Sequence, residues 1–592
     1  MAKANKGAVC VVPRWRDQLG AYGPVLLLTV LGLIWSLSFW QHSVFPDADY
    51  FAFVTTGRQW LSFEIPAGMK RAPVFSIIAG LGSTIFSHPR VQLAATELYN
   101  ALLLPTSMVL FYLVGRGLLG SPAALVTALL AGISPEMIQM SSEPLVEMTL
   151  VVLFAAAVLC VVRGRVGWAY VFAMLVSITR WDMVGLIPAV ALVDLARNRR
   201  FWHVFGRATL VSVPFLVCLI IMKIQLAGQE KGGHYLQVLS EQRHFALQQD
   251  LHSYWQVMMA WVSAPPSWRA DGRLRVQHQV EPVVFWLTAL PLSLTFLWGS
   301  VQGLTKRRWE IPAILATGVP YILVHALYPY RYNRYCVPIA WAGLMIAVYG
   351  ARSVLVSLQS RWPAWNRVKP ALLAGGALLF AAWAIGIGLT LRAGVRQEVC
   401  PGIGAAVCWS AVVAVIGYLG YEWVRAAQRG WHWITVPVFL ILALVSSGTR
   451  TAAVMRDGKE FLSFKTLSLW FRDHARPGDR MVTTMPHYMR IYTDLPSESF
   501  VQTGAIPPET APDLPGFVQA CRQMGVTLIA WDSRLGDATQ DRYYELWGLD
   551  RIRPLGQPFT DQPAGRIESC ELVHVISEDW PGIAVWRILP EK

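Results

Sequence analysis

Residues 166–196 read VGWAYVFAMLVSITRWDMVGLIPAVALVDLA, two apolar runs separated by Thr179-Arg180-Trp181-Asp182. At 1.5 Å per residue, the runs 166–178 and 183–196 each reach only about 20 Å, whereas a bilayer core is roughly 30 Å thick. Two short helices that meet at a charged turn predict a turn sunk below the membrane surface, where it lines a cavity rather than facing lipid. Whether this segment crosses the membrane twice decides the orientation of the rest of the chain.

Other apolar runs are long enough to cross a bilayer as single helices. The candidate crossings are 23–40, 92–114, 121–140, 144–162, 208–226, 281–301, 310–328, 336–355, 370–391, 401–424 and 431–449. One more apolar run, 73–87, contains Gly80 and Gly82 and ends at His88-Pro89. We interpret it as a helix that does not cross.

The basic residues orient these helices, because cytoplasmic loops are enriched in Lys and Arg. Lys3, Lys6, Arg14 and Arg16 precede the first span and place the N-terminus in the cytoplasm. If 166–196 crosses twice and 73–87 does not, the later clusters all lie on the cytoplasmic side. These clusters are Arg116, Arg163/Arg165, Arg197/Arg199/Arg200/Arg207, Lys306/Arg307/Arg308, Arg352/Arg361/Arg367/Lys369 and Arg425/Arg429. The pattern predicts a polytopic α-helical membrane protein with about 13 transmembrane helices and an extracytoplasmic C-terminus.

The composition agrees with a membrane protein. Of the 592 residues, 54% are hydrophobic and only 15% are charged, against about 25% charged in soluble proteins. The formal net charge is +14, but the surplus comes from short clusters between apolar runs, so it predicts orientation and no nucleic-acid partner. The eight cysteines contain no CxxC and no zinc-type spacing.

Three pieces are predicted to lie outside the cytoplasm: a first loop at 41–90, a second large loop at 227–280, and a tail. The domain boundary is set between a transmembrane domain, 1–449, and a soluble domain, 450–592. Apolar runs at 481–482, 526–531, 572–576 and 583–589 alternate with helix-like stretches at 460–475 and 514–524, which predicts a small α/β domain. Cys521 and Cys570 fall within it and are candidates for a disulfide if the tail is extracytoplasmic.

Two carboxylates follow the first span, in Phe45-Pro46-Asp47-Ala48-Asp49-Tyr50-Phe51. Asp47 and Asp49 could converge on one site as metal ligands, or as a base and its orienting partner. The alternative is a solvated loop in which Asp caps an amphipathic helix over Tyr50–Leu61.

Further ionisable residues are predicted at the same outer depth, where charged groups are costly and are functional candidates. They are Lys70, Arg71, Glu97, Glu143, Glu147, Arg180, Asp182, Arg331 and Arg334. Glu143 and Glu147 are four residues apart and would share a helix face. Arg331 and Arg334 stand among the tyrosines of 328–335; the rings alone fit an interfacial belt, but the arginine pair favours an anion such as phosphate.

The order of these features resembles the integral-membrane glycosyltransferases of the GT-C fold, above all the protein O-mannosyltransferases and lipid A aminoarabinose transferases. Asp47-Ala48-Asp49-Tyr50 is similar to the family's Asp-Glu-x-Tyr motif, with Ala48 in place of Glu and Asp49 as a displaced second acid.

Four later segments carry the same resemblance, which covers roughly residues 20–355. They are Arg71-Ala72-Pro73, Ser142-Glu143-Pro144-Leu145, Thr179-Arg180-Trp181, and Arg334-Tyr335 with Pro338. They are similar to the family's basic residue before a non-crossing helix, its acid-Pro start of a span, its turn between short helices, and its donor-phosphate segment.

The resemblance implies transfer of a sugar, with inversion, from a polyprenyl-phosphate donor to a lipid, glycan or protein acceptor outside the membrane. Asp47 and Asp49 would be catalytic, and a divalent metal ion, if one takes part, would bind there. Lys70, Arg71, Glu143, Arg180, Arg331, Arg334 and Tyr335 would bind the substrate or its phosphate. Short loops favour a multi-pass protein of a bacterial plasma membrane.

Two alternatives stay open from the residues alone. A transporter or flippase of lipid-linked material would also use intramembrane Arg and Glu, although a second broken-helix pair to match 166–196 is missing. A degenerate GT-C member acting as a binding module would explain Ala48.

Overall fold

The computed structural model describes residues 14–38, 40, 46, 48–66, 71–132, 134–227, 281–326, 333–361, 462–493, 495–506, 511, 513–532, 566–567, 569–577 and 582–590. The predicted crossings 370–391, 401–424 and 431–449 lie outside these residues, as does nearly all of loop 227–280. So do three candidate site residues, Asp47, Lys70 and Arg331.

Thirteen α-helices make up the described part of residues 14–361. They are α1 (Arg14–Ser38), α2 (Ala48–Leu61), α3 (Pro73–Ile85), α4 (Pro89–Leu119), α5 (Ser121–Gly132), α6 (Pro135–Ser142), α7 (Glu147–Val162), α8 (Val166–Ser177), α9 (Leu186–Asn198), α10 (Phe201–Ala227), α11 (Glu281–Thr305), α12 (Glu310–Ala326) and α13 (Val337–Arg361). Two 3-10 turns, Trp181–Gly185 and Asn333–Cys336, precede α9 and α13.

Three stretches are long and apolar enough to cross a membrane, judged by length and composition of the described helices: Pro89–Leu119, Phe201–Ile224 and Arg334–Val354. Helix α10 presents Trp202, Leu210, Ile220 and other large apolar side chains to the outside of the protein. A helix surrounded by water would bury such a face, so α10 has the surface expected against lipid. The total of about 13 crossings stays a prediction.

The run 121–140 is two helices instead of one predicted crossing. Helix α5 ends at Gly132, and α6 starts at Pro135 with Ser134 as its N-cap, whose hydroxyl accepts from the Met137 amide. Proline is favoured in a first helical turn because its missing N–H is not needed there. Similarly, Glu143 ends α6 and Glu147 begins α7, so the prediction that these two glutamates share a helix face is wrong.

Helices α2 and α3 pack closely against each other beside α4, and this pair positions the residues of the site. A Cβ on Gly57 would lie 1.8 Å from the Ser76 carbonyl oxygen, so the two backbones are in direct contact. Glycine is the residue that allows such an approach. Helix α3 has 13 residues, about 20 Å in length, and that it does not cross the membrane stays a prediction.

The described residues from 462 onward form a mixed sheet with helices. The helices are α14 (Leu462–His474), α15 (Pro486–Met489) and α16 (Leu514–Gln523); the strands are β1 (Met481–Thr483), β2 (Phe500–Gln502), β3 (Leu528–Asp532), β4 (Arg566–Ile567), β5 (Cys570–Ile576) and β6 (Ile583–Ile588). Strand order is β2-β1-β3-β6-β5-β4, with β1 parallel to β2 and β3 and the other pairs antiparallel. The location of this sheet region outside the membrane stays a prediction.

Cys521 and Cys570 are both buried in the apolar core of this sheet, and no disulfide joins them. Burial, with the neighbouring Cys570, raises the pKa of Cys521 to about 12. The disulfide for which these two cysteines were candidates is therefore not formed in this structure.

The sheet region packs on the helical part through the segment that follows β1. The His487 ring stacks on Phe51 of α2 with centroids 5.2 Å apart, and Tyr488 lies 6.2 Å from the same ring. Four residues on, the Tyr492 ring centroid lies 5.4 Å from the guanidinium of Arg90 at the start of α4. The two parts of the chain therefore meet beside the helix that carries Asp49.

Candidate functional site

Asp49 lies in the first turn of α2 and bridges two arginines. One carboxylate oxygen accepts from Arg71 Nη2, and the other accepts from Arg334 Nη2 at 3.0 Å. Arg71 precedes the Pro73 that starts α3, and Arg334 lies in the 3-10 turn before α13. Tertiary folding thus joins residues that are 285 positions apart.

Glu147 continues this network toward the turn between α8 and α9. It stands in the first turn of α7, is only 2% exposed, and lies 3.8 Å from Arg334 Nε and 3.5 Å from Arg180 Nη1. Arg180 in turn pairs through Nε with Asp182 at 3.0 Å. The result is an alternating chain of acids and arginines, each half-buried or buried.

Aromatic rings pack against the guanidinium groups. The Tyr335 ring centroid lies 4.6 Å from Arg180 and 5.6 Å from Arg334, and Tyr321 of α12 lies 5.9 Å from Arg180. Cations over ring faces are attracted by the ring quadrupole, most strongly where water is excluded. These rings therefore hold the arginines in place without neutralising them.

The backbone conformation around Arg180 forms the turn that was predicted at Thr179–Asp182. Helix α8 ends at Ser177, Arg180 is extended at φ −155° and ψ 124°, and the 3-10 turn begins at Trp181. The amide of Val74 donates to the Ile178 carbonyl at 3.2 Å, which joins the start of α3 to this turn. Arg71 and Arg180 are brought to one site by this contact between their segments.

Glu143 belongs to a second polar cluster, between α4 and α6. Its carboxylate accepts from Gln139 Nε2 at 2.8 Å, and Asn100 Nδ2 donates to its backbone carbonyl at 2.6 Å. Glu97 is buried at 2% exposure close enough to Glu143 for the two charges to interact. Tyr50, beside Asp49, faces this cluster, and burial raises its pKa to about 12.

The structure therefore brings Asp49, Arg71, Arg180, Arg334 and Tyr335 together, as the sequence pattern suggested. Glu147 and Asp182 were recognised in the sequence as ionisable candidates, but the position of Glu147 between Arg180 and Arg334 and the pairing of Asp182 with Arg180 were not. Tyr321 was not singled out, because one tyrosine in an apolar helix carries no sequence signal.

Of the two acids that would hold a divalent metal if one takes part, the structure describes Asp49, and the surroundings of Asp49 do not fit a cation. Both carboxylate oxygens of Asp49 are engaged by guanidinium groups, which would repel a metal ion. Among the residues that the structure describes, no group of three or more His, Cys, Asp or Glu side chains is placed to hold a metal. The arrangement around Asp49 is suited to an anion instead.

Comparison with solved structures identifies proteins of the same shape. The crystal structure of ArnT from Cupriavidus metallidurans bound to undecaprenyl phosphate matches with a TM-score of 0.51 and 15% identity, covering 97% of this chain and 100% of that one. The apo form of the same protein gives 0.50. AglB from Archaeoglobus fulgidus, an archaeal oligosaccharyltransferase in complex with an inhibitory peptide and a dolichol-phosphate, gives 0.45 at 12% identity over 90% of this chain and 71% of that one.

Comparison with sequences gives no further relatives. No protein-family model matches the chain, and no curated protein sequence matches it. At these levels of identity, the similarity to ArnT establishes the fold alone.

Proposed function

From the GT-C fold, which this chain shares with ArnT, we propose that the protein is a membrane glycosyltransferase. It takes a sugar from a polyprenyl-phosphate donor and transfers it, with inversion, to an acceptor on the extracytoplasmic face. The observation that carries the proposal is the meeting of Arg71, Arg180 and Arg334 at one partly buried site.

Three guanidinium groups from distant segments are suited to a phosphate. Guanidinium donates two parallel N–H bonds to phosphate oxygens and stays charged at any physiological pH. The side chains of Arg180 and Arg334 are each 15% exposed, so water screens them less than at an open surface. Charge that develops on a leaving phosphate during transfer would be stabilised there.

The acids of the first loop supply the second half of the reaction. Asp47 is proposed as the general base that takes the proton of the acceptor, and Asp49 lies two residues further on in the first turn of α2. A base on this loop and a phosphate clamp formed by Arg71 and Arg334 would stand on either side of the anomeric carbon. Lys70 and Arg331, close in the chain to members of the clamp, are proposed to contribute to donor binding.

The donor, the location of the protein and the acceptor are proposed to agree with this reaction. The ArnT structure contains undecaprenyl phosphate, which supports a polyprenyl-phosphate donor for this chain. The apolar outer face of α10 supports residence in a membrane, and we propose a bacterial plasma membrane with residues 450–592 on the extracytoplasmic side. The acceptor is proposed to be a lipid, a glycan or a protein, and the transferred group a hexose or a pentose.

The proposal is tested by incubating the purified full-length protein with short-chain polyprenyl-phosphate sugars and candidate acceptors. Arg334→Ala should weaken donor binding by about tenfold or more, because a hydrogen bond to a charged group is worth about 1.5–3 kcal/mol. Arg308→Ala is the matched control, since Arg308 is an exposed arginine in the turn between α11 and α12.

Two results would contradict the proposal. The first is the absence of sugar transfer by the wild type with every donor of this class. The second is an equal effect of the two arginine substitutions on the apparent donor affinity, which would show that Arg334 does not face the phosphate.

A further inference from the structure

The carboxylate of Asp49 takes the place between Arg71 and Arg334 that a donor phosphate would need. Resting on the proposed function, we infer that Asp49 is a specificity-determining residue: it competes with the lipid phosphate for these two arginines and sets the charge of the phosphate that the site accepts. This role is separate from proton transfer by Asp47.

Asp49 and a phosphate would bind the two arginines in the same geometry. Each Asp49 oxygen accepts from a different guanidinium, Arg71 Nη2 on one side and Arg334 Nη2 at 3.0 Å on the other. Two non-bridging oxygens of a phosphate bind a pair of guanidinium groups in the same manner. Carboxylate and phosphate therefore cannot both occupy this position.

The exposure of the three side chains indicates which partner can leave. The Asp49 side chain is 27% exposed, whereas those of Arg71 and Arg334 are 19% and 15% exposed. The carboxylate is therefore the most exposed of the three side chains. A change of χ1 to another staggered position is the movement that would remove the Asp49 carboxylate from between the arginines while α2 stays in place.

A bound phosphate also has to match the charge of the cluster of arginines and acids around Asp49. Among the residues of the cluster that the structure describes, Arg71, Arg180 and Arg334 are matched by three acids, Asp49, Glu147 and Asp182. A phosphodiester donor carries a single negative charge, so it replaces Asp49 charge for charge. If Asp49 stayed, the donor would add an uncompensated negative charge to a partly buried site.

The product of the transfer is treated differently by the same cluster. When the sugar leaves, the lipid phosphate becomes a monoester with a charge of about −1.5 to −2 at neutral pH, as other phosphate monoesters do. Displacement of Asp49 uncovers one positive charge among the described residues of the cluster, which is less than the charge of the monoester. Return of Asp49 to Arg71 and Arg334 therefore favours release of the product over its retention.

The inference is tested by equilibrium binding of farnesyl phosphate, a short prenyl monophosphate, to the purified full-length protein. Asp49→Asn removes the competitor and should tighten binding by about tenfold or more, with a larger effect on the monoester than on a farnesyl phosphodiester. Asp182→Asn is the matched control, because it also removes one negative charge from the cluster but pairs with Arg180. Because its described partner is Arg180 and not Arg71 or Arg334, we expect it to tighten binding clearly less than Asp49→Asn does.

Equal or weaker binding by Asp49→Asn would overturn the inference, as would equal tightening by Asp182→Asn. Thermal unfolding of each variant checks the fold, and Asp49→Ser repeats the measurement with a smaller side chain if the Asn variant is unstable. Sugar transfer by the wild type is measured in parallel. Transfer without an Asp49 effect on binding removes this inference only, whereas an Asp49 effect without transfer removes the glycosyltransferase proposal and leaves an anion site.

Discussion

At the scale of single residues, Glu147 has the most demanding position in the site. It is almost fully buried, and its carboxylate lies 3.5 Å from Arg180 and 3.8 Å from Arg334. Removing one partner of a buried ion pair leaves the other charge without compensation, which is costly. The place of Glu147 between the two arginines is therefore as important as the negative charge that it carries.

We predict that Glu147→Gln lowers the free energy of unfolding by about 3 kcal/mol, because two partly buried guanidinium groups lose their shared counter-charge. The measurement is thermal or chemical unfolding of the full-length protein in detergent. Glu64→Gln, at an exposed position just after α2, is the control and should leave stability unchanged. If Glu147→Gln proved as stable as this control, Glu147 would not be holding the two arginines.

The residues of the site differ in how far the sequence could identify them. Arg180 stands between two apolar runs and Arg334 among tyrosines, so a cavity-lining position for Arg180 and an anionic partner for Arg334 were predicted from the pattern alone. The pairing of Asp49 with Arg334 was not, because 285 residues separate them and no local pattern encodes the contact. Glu143 was expected beside the substrate phosphate, and the structure describes it in the cluster with Gln139 and Glu97.

At the scale of elements, the α2–α3 pair positions both ends of the Asp49–Arg71 contact. Gly57 of α2 and Gly80 of α3 stand at the crossing, and a Cβ on Gly80 would lie 2.5 Å from the Gly57 backbone. Any added side chain must push the helices apart. Asp49 lies on the same helix as Gly57, about two turns before it, so the displacement reaches the site.

We predict that Gly57→Ala destabilises the protein by about 2 kcal/mol through overpacking and weakens donor binding in the same variant. Gly206→Ala in α10 is the control, because a Cβ there has no heavy atom within 4 Å. An alanine at that helical position should cause no loss of stability, since alanine is favoured over glycine in helices. If Gly57→Ala matched this control in stability and donor binding, the close crossing would have no role in shaping the site.

The elements themselves were largely predictable, and their ends were less so. Helix α2 covers the amphipathic stretch 50–61, and the strands at 481–483, 528–532, 570–576 and 583–588 fall within or close to the predicted apolar runs. The break inside 121–140 was missed, because hydropathy over Ser134-Pro135 stays high enough for one continuous helix. Capping by Ser134 decides the break, and it depends on one hydroxyl.

At the scale of the whole molecule, the sheet region is joined to the helices next to Asp49. The contacts are rings: His487 on Phe51, and Tyr492 against Arg90. Burial lowers the pKa of His487, and the nearby Arg490 lowers it further. The junction therefore favours neutral histidine.

The lowered pKa of His487 predicts how the stability of the protein depends on pH. Since the pKa of His487 is lower in the folded protein than its ordinary value of 6.5, protonation favours the unfolded chain. The contribution is complete above pH 6.5 and is lost as the pH falls through the lowered value. His487→Asn should reduce the loss of thermal stability between about pH 7 and pH 5, whereas His203→Asn, at an exposed position, should not. Identical pH profiles for the wild type and His487→Asn would show that this histidine is not held neutral by the junction.

By itself, the sequence determined that the chain is a membrane protein, which ionisable residues are candidates for the site, and where most helices and strands lie. These properties depend on composition and on the period of apolar residues, which are local. Only the tertiary structure decided that Asp49 binds Arg71 and Arg334, that Glu147 lies between two arginines, and that His487 rests on Phe51. Each of these contacts joins segments that are far apart in the chain, and the packing of the helices decides which residues become partners. The close approach at Gly57 is one feature of that packing. In the sequence, this approach is visible only as a glycine.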